Sequence, residues 1–216
     1  CPAMAATHAS LQIAPTSLTL DGARSTGEVV MSSLDARTLI FDLETVAWKQ
    51  NGDSDSFSPT SDLVVVPPVY DVAPYRQVLV RVGWTNKSES VDERAFQIRF
   101  REVQPPGATQ TARTLEAPVF IAPSERRGEA RYELQRTSPE EARLIVENAS
   151  NTHVFLGDVK LTSGNETVFS GALRTYVLAG NTRNFTIRLA RPVEGNEIEL
   201  HNRADKEEST ANVTVR

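Results

Sequence analysis

The chain has 216 residues, 39% of them hydrophobic and 24% charged, a formal charge of −5 and a single cysteine. That is enough apolar material for one large domain or two small ones, and it excludes a disordered or collagen-like chain. No run of 18 or more apolar residues is present to span a membrane as a helix. The mixed-sign charge lacks the basic face of a nucleic-acid binder, and one thiol makes neither an internal disulfide nor a thiolate zinc site.

Taken in order, Cys1-Pro2-Ala3-Met4-Ala5-Ala6 contains the small-x-small form that a secretory signal peptidase cleaves. Residues 1–10 are therefore expected to be a signal-peptide remnant or flexible N-terminus, with a frayed terminus and a lipid-anchored Cys1 as the alternatives. Strand signals then dominate: Leu11–Leu20, Gly27–Leu34, Thr38–Trp48, Asp62–Val66, Val78–Val82, Ala95–Glu102 and Thr109–Ile121. Leu39, Phe41 and Leu43 share one face; Phe96, Ile98 and Phe100 share another, with Arg99 and Arg101 pointing the opposite way. A charged, Pro-marked stretch at 123–129 interrupts the pattern. Strands resume at Arg131–Gln135, Arg143–Glu147, His153–Leu161, Glu166–Ser170, Leu173–Leu178, Asn184–Leu189, Glu197–His201 and Asn212–Val215. The one helical candidate, Pro139–Val146, is short. This spacing predicts an all-β chain of two immunoglobulin-like sandwiches, residues 11–124 and 125–216.

Catalytic chemistry finds no support. His8, His153 and His201 share no metal-ligand spacing, and no nucleophile elbow or phosphate-binding glycine loop is present. Glu93, Glu102, Glu140 and Glu141 read as strand-end or loop charges, and no metal or cofactor is expected. Asn86, Asn148, Asn165, Asn184 and Asn212 each open a glycosylation-type triplet, which a Ser- and Thr-rich strand protein also produces by chance. Trp48 and Trp84 read as core or edge packing, with a sugar platform as the alternative.

The stretch Pro67–Pro106 carries a resemblance. Pro67-Pro68-Val69-Tyr70-Asp71-Val72-Ala73-Pro74 followed by Gln77-Val78-Leu79-Val80-Arg81 resembles the proline-strand-proline and Gln-x-x-x-Arg pattern of periplasmic pilus-assembly chaperones. Glu93-Arg94-Ala95-Phe96 leading to Glu102-Val103-Gln104-Pro105-Pro106 is similar to that family's Glu-Arg strand and its acidic-apolar-x-Pro turn. Pro118-Val119-Phe120-Ile121 resembles the segment that closes its first domain.

The resemblance implies two immunoglobulin-like sandwiches in an L-shaped arrangement, acting in the periplasm without cofactor. It implies a chaperone that lends its last first-domain strand to a pilus or fimbrial subunit and delivers that subunit to an outer-membrane usher. On this reading there is no nucleic-acid partner and no membrane insertion, and self-association through the exposed strand is a further expectation. The donor strand is expected at Thr109, Thr111, Ala112 and Leu115; the seven residues from Thr109 to Leu115 extend about 23 Å. The two basic positions that hold the subunit's terminal carboxylate in the best-known branch align with Ser17 and Pro118. The resemblance to a more divergent branch moves that anchor to Arg81 and Arg113; the other reading of Arg81 is that it pairs internally with Glu93 to brace the cleft. The alternative is a secreted or cell-surface tandem sandwich with an adhesive or structural role; a sandwich enzyme lacks the residues it needs.

Overall fold

The computed structural model describes residues 10–86, 90–107, 111–204 and 207–216, and among them every helix-or-strand element is a strand. The described chain separates into two compact units. The first holds the residues up to Lys49 and Ser56–Glu125; the second holds Arg126–Arg216 together with the short segment Gln50–Asp55.

In the first unit, β1 (Leu11–Ala14), β3 (Thr26–Ser33), β8 (Gln77–Trp84) and β6 (Leu63–Val66) form a four-stranded sheet in the order β1-β3-β8-β6. The facing sheet runs β2 (Leu18–Leu20), β10 (Thr114–Ile121), β9 (Arg94–Val103), β4 (Leu39–Asn51) and β5 (Ser54–Pro59), with β7 (Val69–Val72) also paired to β4. Period-2 alternation turns Leu39, Phe41 and Leu43 of β4 and Phe96, Ile98 and Phe100 of β9 into one core, met from the other sheet by Val29, Met31, Val80 and Val82.

Two sequence expectations change here, and the reading of both tryptophans as packing residues holds. The run Leu11–Leu20 is two strands, because Pro15 lacks an N–H and the turn Pro15-Thr16-Ser17 carries the chain from one sheet to the other. Leu11, Ile13 and Leu20 still reach the same core. Strand β5 carries too few apolar residues to read as a strand alone, and β7 is the short strand between Pro68 and Pro74. Trp48 and Trp84 are both buried, at 3% and 5% exposure, so neither offers a sugar platform.

The second unit is one seven-stranded sheet in the order β14-β13-β16-β17-β11-β12-β15. Its strands are β11 (Ala130–Arg136), β12 (Glu141–Asn148), β13 (Val154–Ser163), β14 (Glu166–Val177), β15 (Thr182–Arg188), β16 (Glu197–Ala204) and β17 (Glu207–Val215). The helical candidate is strand β12: Ala142, Leu144 and Val146 are buried at a period of two, which outweighs the local helix signal. Asn148, which opens the second of the glycosylation-type triplets, is buried and donates to the carbonyls of Thr152, Val177 and Leu178. The segment Gln50–Asp55 belongs to this unit through polar pairing. Arg183 meets Asp55 at 3.0 Å, and Asn181 exchanges two 3.0 Å hydrogen bonds with Gly52.

The two predicted strands 166–170 and 173–178 are a single β14 with a bulge. Leu156 pairs with Thr175 but Asp158 pairs with Ala172, so β14 carries one extra residue, and Arg174 adopts a left-handed φ of 45°. Opposite the bulge, Gly157 donates to Asn202 Oδ1 at 2.8 Å, and a Cβ there would lie 2.1 Å from the Arg203 carbonyl oxygen. Replacing Gly157 by Ala is therefore expected to destabilise the protein by about 1–3 kcal/mol in equilibrium denaturant unfolding.

Candidate functional site

Among the described residues, β10 in the first unit is paired along one side and largely open along the other. β10 is antiparallel to β9 along its whole length, Thr114 opposite Arg101 through Ile121 opposite Arg94. On its other side β2 covers only Val119–Ile121. Among the described residues no strand pairs with that side over Thr114–Pro118.

The phase of β10 decides which backbone groups this edge presents. The Glu102 N–H donates to the Arg113 carbonyl at 2.9 Å, so Arg113 faces β9. Antiparallel alternation then turns residues 115, 117, 119 and 121 toward β9 and residues 114, 116 and 118 toward the open side. The open edge consists of the N–H and C=O groups of Thr114 and Glu116, followed by Pro118, which has no N–H to leave unmet. The outward side chains are polar: Thr114 is exposed, while Glu116 is half-buried and accepts from Gln97 Nε2 at 3.0 Å.

The start of the strand is held by a charge network. The Glu102 side chain has no solvent exposure. It accepts from Arg113 Nε at 2.7 Å, from Arg113 Nη2 at 3.2 Å and from Arg37 Nη2 at 2.7 Å. The Arg113 backbone N–H also reaches Glu102 Oε2, at 3.3 Å. Arg113 Nη1 continues to Asp35 at 2.7 Å and to the Ser10 hydroxyl at 2.9 Å. Burial alone would push the Glu102 carboxyl up; hydrogen bonds from Arg113 and Arg37 outweigh it and hold the group below the ordinary carboxylate range. The same hydrogen bond, donated by Arg113 to Glu102, raises the Arg113 guanidinium.

The residues singled out from the sequence fall in different places. Thr109 lies outside the described residues, and Thr111 and Ala112 are exposed just before β10. Leu115 is in β10 but fully buried in the unit's own core, so its side chain cannot plug a partner's groove. Arg113 is neutralised by Glu102 and Asp35 at the start of β10. Arg81 lies in the other sheet on an outward-facing position, its side chain 75% exposed and 3.7 Å from Glu28. The structure thus does not bring Arg81 and Arg113 together as one anchor. The carboxylate across from Arg81 is Glu28, its cross-strand neighbour, whereas Glu93 precedes β9 in the facing sheet. Ser17 and Pro118 each immediately precede a residue of the Leu18–Val119 pair, and neither is basic.

Glu102, Asp35, Arg37 and Ser10 were not legible as a group. A signal for Glu102 did exist, since it continues the inward phase of Phe96, Ile98 and Phe100. An acid on the core face of a strand needs a buried cation, and Arg113 stands in the same inward phase as Leu115.

Comparison with known proteins extends this picture. Residues 10–126 match the family described as pili and flagellar-assembly chaperone, PapD N-terminal domain. No curated protein sequence matches the chain. Among solved structures, the chain is similar to a chain of the CsuC–CsuE chaperone–tip adhesion subunit pre-assembly complex of Acinetobacter baumannii. That likeness has a TM-score of 0.69 at 14% identity, covering 96% of this chain and 99% of that one. The chaperone DraB of E. coli gives 0.65 at 18% identity, covering 96% and 97%. The Salmonella enterica complex of SafA pilin with the SafB chaperone gives 0.64 at 16% identity, covering 99% and 100%. At these identities the structures establish the shared fold.

The Glu102 network makes a signed prediction for acid. A carboxyl whose folded pKa is depressed contributes stability that is complete above its unfolded value, about 4.3, and is lost as pH falls through its folded value. The stability–pH profile of Glu102→Gln is expected to be flatter than that of the wild type across this acid range, measured by denaturant unfolding at successive pH values.

Proposed function

The chain belongs to the family of pili and flagellar-assembly chaperones, and on that premise we propose that it is a periplasmic chaperone that captures a pilus or fimbrial subunit by donor-strand complementation along β10. In this reading the complex is handed to an outer-membrane usher. The observation that carries it is the edge over Thr114–Pro118, which lies in a sandwich that is otherwise well packed. Unmet N–H and C=O groups on a strand edge are the chemistry that recruits a foreign strand. Two of the structural relatives are complexes of a chaperone with a tip adhesion subunit and with a pilin, which fits a subunit as the partner.

The mode of capture differs from the expected one in where its affinity lies. With Leu115 committed to the chaperone's own core and Thr114 and Glu116 pointing outward, β10 offers its backbone rather than a row of apolar plugs. Each hydrogen bond formed contributes about 0.5–1.5 kcal/mol. The reading does not require Arg81 and Arg113 to act as a paired carboxylate anchor: Arg113 serves β10, and Arg81 is a surface partner of Glu28. No catalytic step or cofactor enters.

Proline substitution separates the two faces of the strand. Thr114→Pro removes an outward N–H and is expected to leave the chaperone folded while weakening capture of its co-expressed subunit by about 2–10-fold, the equivalent of one hydrogen bond. Leu115→Pro removes an inward N–H from the β9 ladder and is expected to abolish folding. Co-purification and circular dichroism of both variants read this out. A subunit that is equally soluble with and without the wild-type chain would overturn the reading.

A further inference from the structure

We propose that Glu102 is the positioning residue that sets the phase of β10, and so determines which backbone groups the open edge presents. Its bearing on subunit capture rests on the function proposed above; its effect on the strand does not.

In a regular antiparallel pair, two hydrogen-bonded residues exchange both of their N–H···O=C bonds. At the pair Glu102–Arg113 one of these forms, from the Glu102 N–H to the Arg113 carbonyl. In the other direction, the Arg113 N–H reaches the Glu102 carboxylate. The carboxylate thereby stands at the end of the ladder as an acceptor beside the backbone. The same group grips the Arg113 guanidinium through two nitrogens, so backbone and side chain of residue 113 are fixed by one side chain. Arg37, Asp35 and Ser10 hold the two charged groups in place from the β3–β4 turn and from the residue before β1.

The consequence is a choice between two phases. With Arg113 turned toward β9, Thr114 and Glu116 face outward and Pro118 falls where its missing N–H is harmless. A slip of one residue would turn every side chain of β10 over. Leu115 and Ala117 would leave the core, Arg113 would lose Glu102, and Pro118 would be asked for an N–H it does not have. The apolar pattern resists that slip along the middle of the strand. At its exposed beginning, where Thr111 and Ala112 are outside any ladder, the described contact that does so is the Glu102–Arg113 pair.

The test is residue-resolved amide hydrogen exchange by NMR on the full chain, with Glu102→Gln and Arg37→Gln. In the wild type, Arg113 and Leu115 are expected to be protected, while Thr114 and Glu116 exchange about 100-fold faster or more. Glu102→Gln keeps the shape but removes the charge, and is expected to speed exchange at Arg113 and Leu115 about tenfold with Phe96–Phe100 nearly unchanged. Arg37→Gln removes a half-exposed donor and leaves the Glu102–Arg113 pair intact. It is expected to produce the same local pattern at about threefold, which decides the matter should Glu102→Gln not fold. Unchanged protection at Arg113 and Leu115, or an equal loss throughout β9, would overturn the proposal, since a merely structural role loosens the whole sheet. Capture of the co-expressed subunit is measured in parallel. Its absence in the wild type counts against the chaperone reading alone, while the exchange pattern still decides the role of Glu102.

Discussion

A carboxylate sealed from water has to be met by cations and hydrogen-bond donors, and the first unit is organised around one such demand at Glu102. Removing a partner from a buried ion pair costs about 3–5 kcal/mol, although the intact pair adds little net stability over an apolar replacement. What the pair contributes is therefore arrangement. Arg113 at the start of β10, Arg37 and Asp35 from the β3–β4 turn, and Ser10 just before β1 are drawn to one corner of the sandwich. Segments far apart in the chain are tied there by a handful of bonds with fixed geometry, which apolar packing alone would not specify.

The open edge of β10 follows from that arrangement together with the shortness of β2. After Pro15 breaks the first run, only Leu18–Leu20 remain to pair with β10, and they reach no further back than Val119. A longer β2 would have closed the edge and made an ordinary sandwich. Fully buried Leu115, Ala117 and Val119 keep the strand anchored from within while its other side stays available. The fold thus pairs a strand firmly held by β9 with an edge that, among the described residues, has no strand partner over Thr114–Pro118, which is the physical requirement for strand addition.

How much of this could be read from the sequence depends on the kind of interaction. Strands such as β4, β9 and β12 announce themselves through alternation of large apolar residues, and the two-sandwich architecture follows from their spacing. β5 does not, because Ser54–Pro59 is polar and owes its strand form to pairing with β4. The assignment of Gln50–Asp55 to the second unit rests on Arg183, Asn181 and Asp55, polar contacts about 130 residues apart in sequence that no local pattern foretells. The site divides the same way. The donor strand expected at 109–115 overlaps the start of β10, whereas the side-chain assignments depended on the phase of that strand, which the long-range Glu102–Arg113 bonds help to fix. Arg81 and Arg113 looked equivalent as cations; their different sheets and different partners made one a surface charge and the other part of the strand's foundation.

The polarity of the outward face resolves a conflict that an open edge creates. An unpaired strand flanked by exposed apolar side chains invites pairing with any unfolded chain, including another copy of itself. Here the side chains beside the free backbone groups are Thr114 and Glu116, and Glu116 is tied down by Gln97 and lies 3.7 Å from Arg99. A charged residue on the edge discourages unselective association, yet the N–H and C=O groups remain available to a strand that arrives in register. Such an edge gives up affinity that buried side chains would supply, at about 25 cal/mol per Å². The backbone is the same at every strand, so capture through it depends less on the partner's side chains than on whether that partner presents an incomplete sheet. Under the proposed function, selectivity for an unfinished subunit over a finished one would come from the geometry of pairing, and that geometry is only as well defined as the phase of β10.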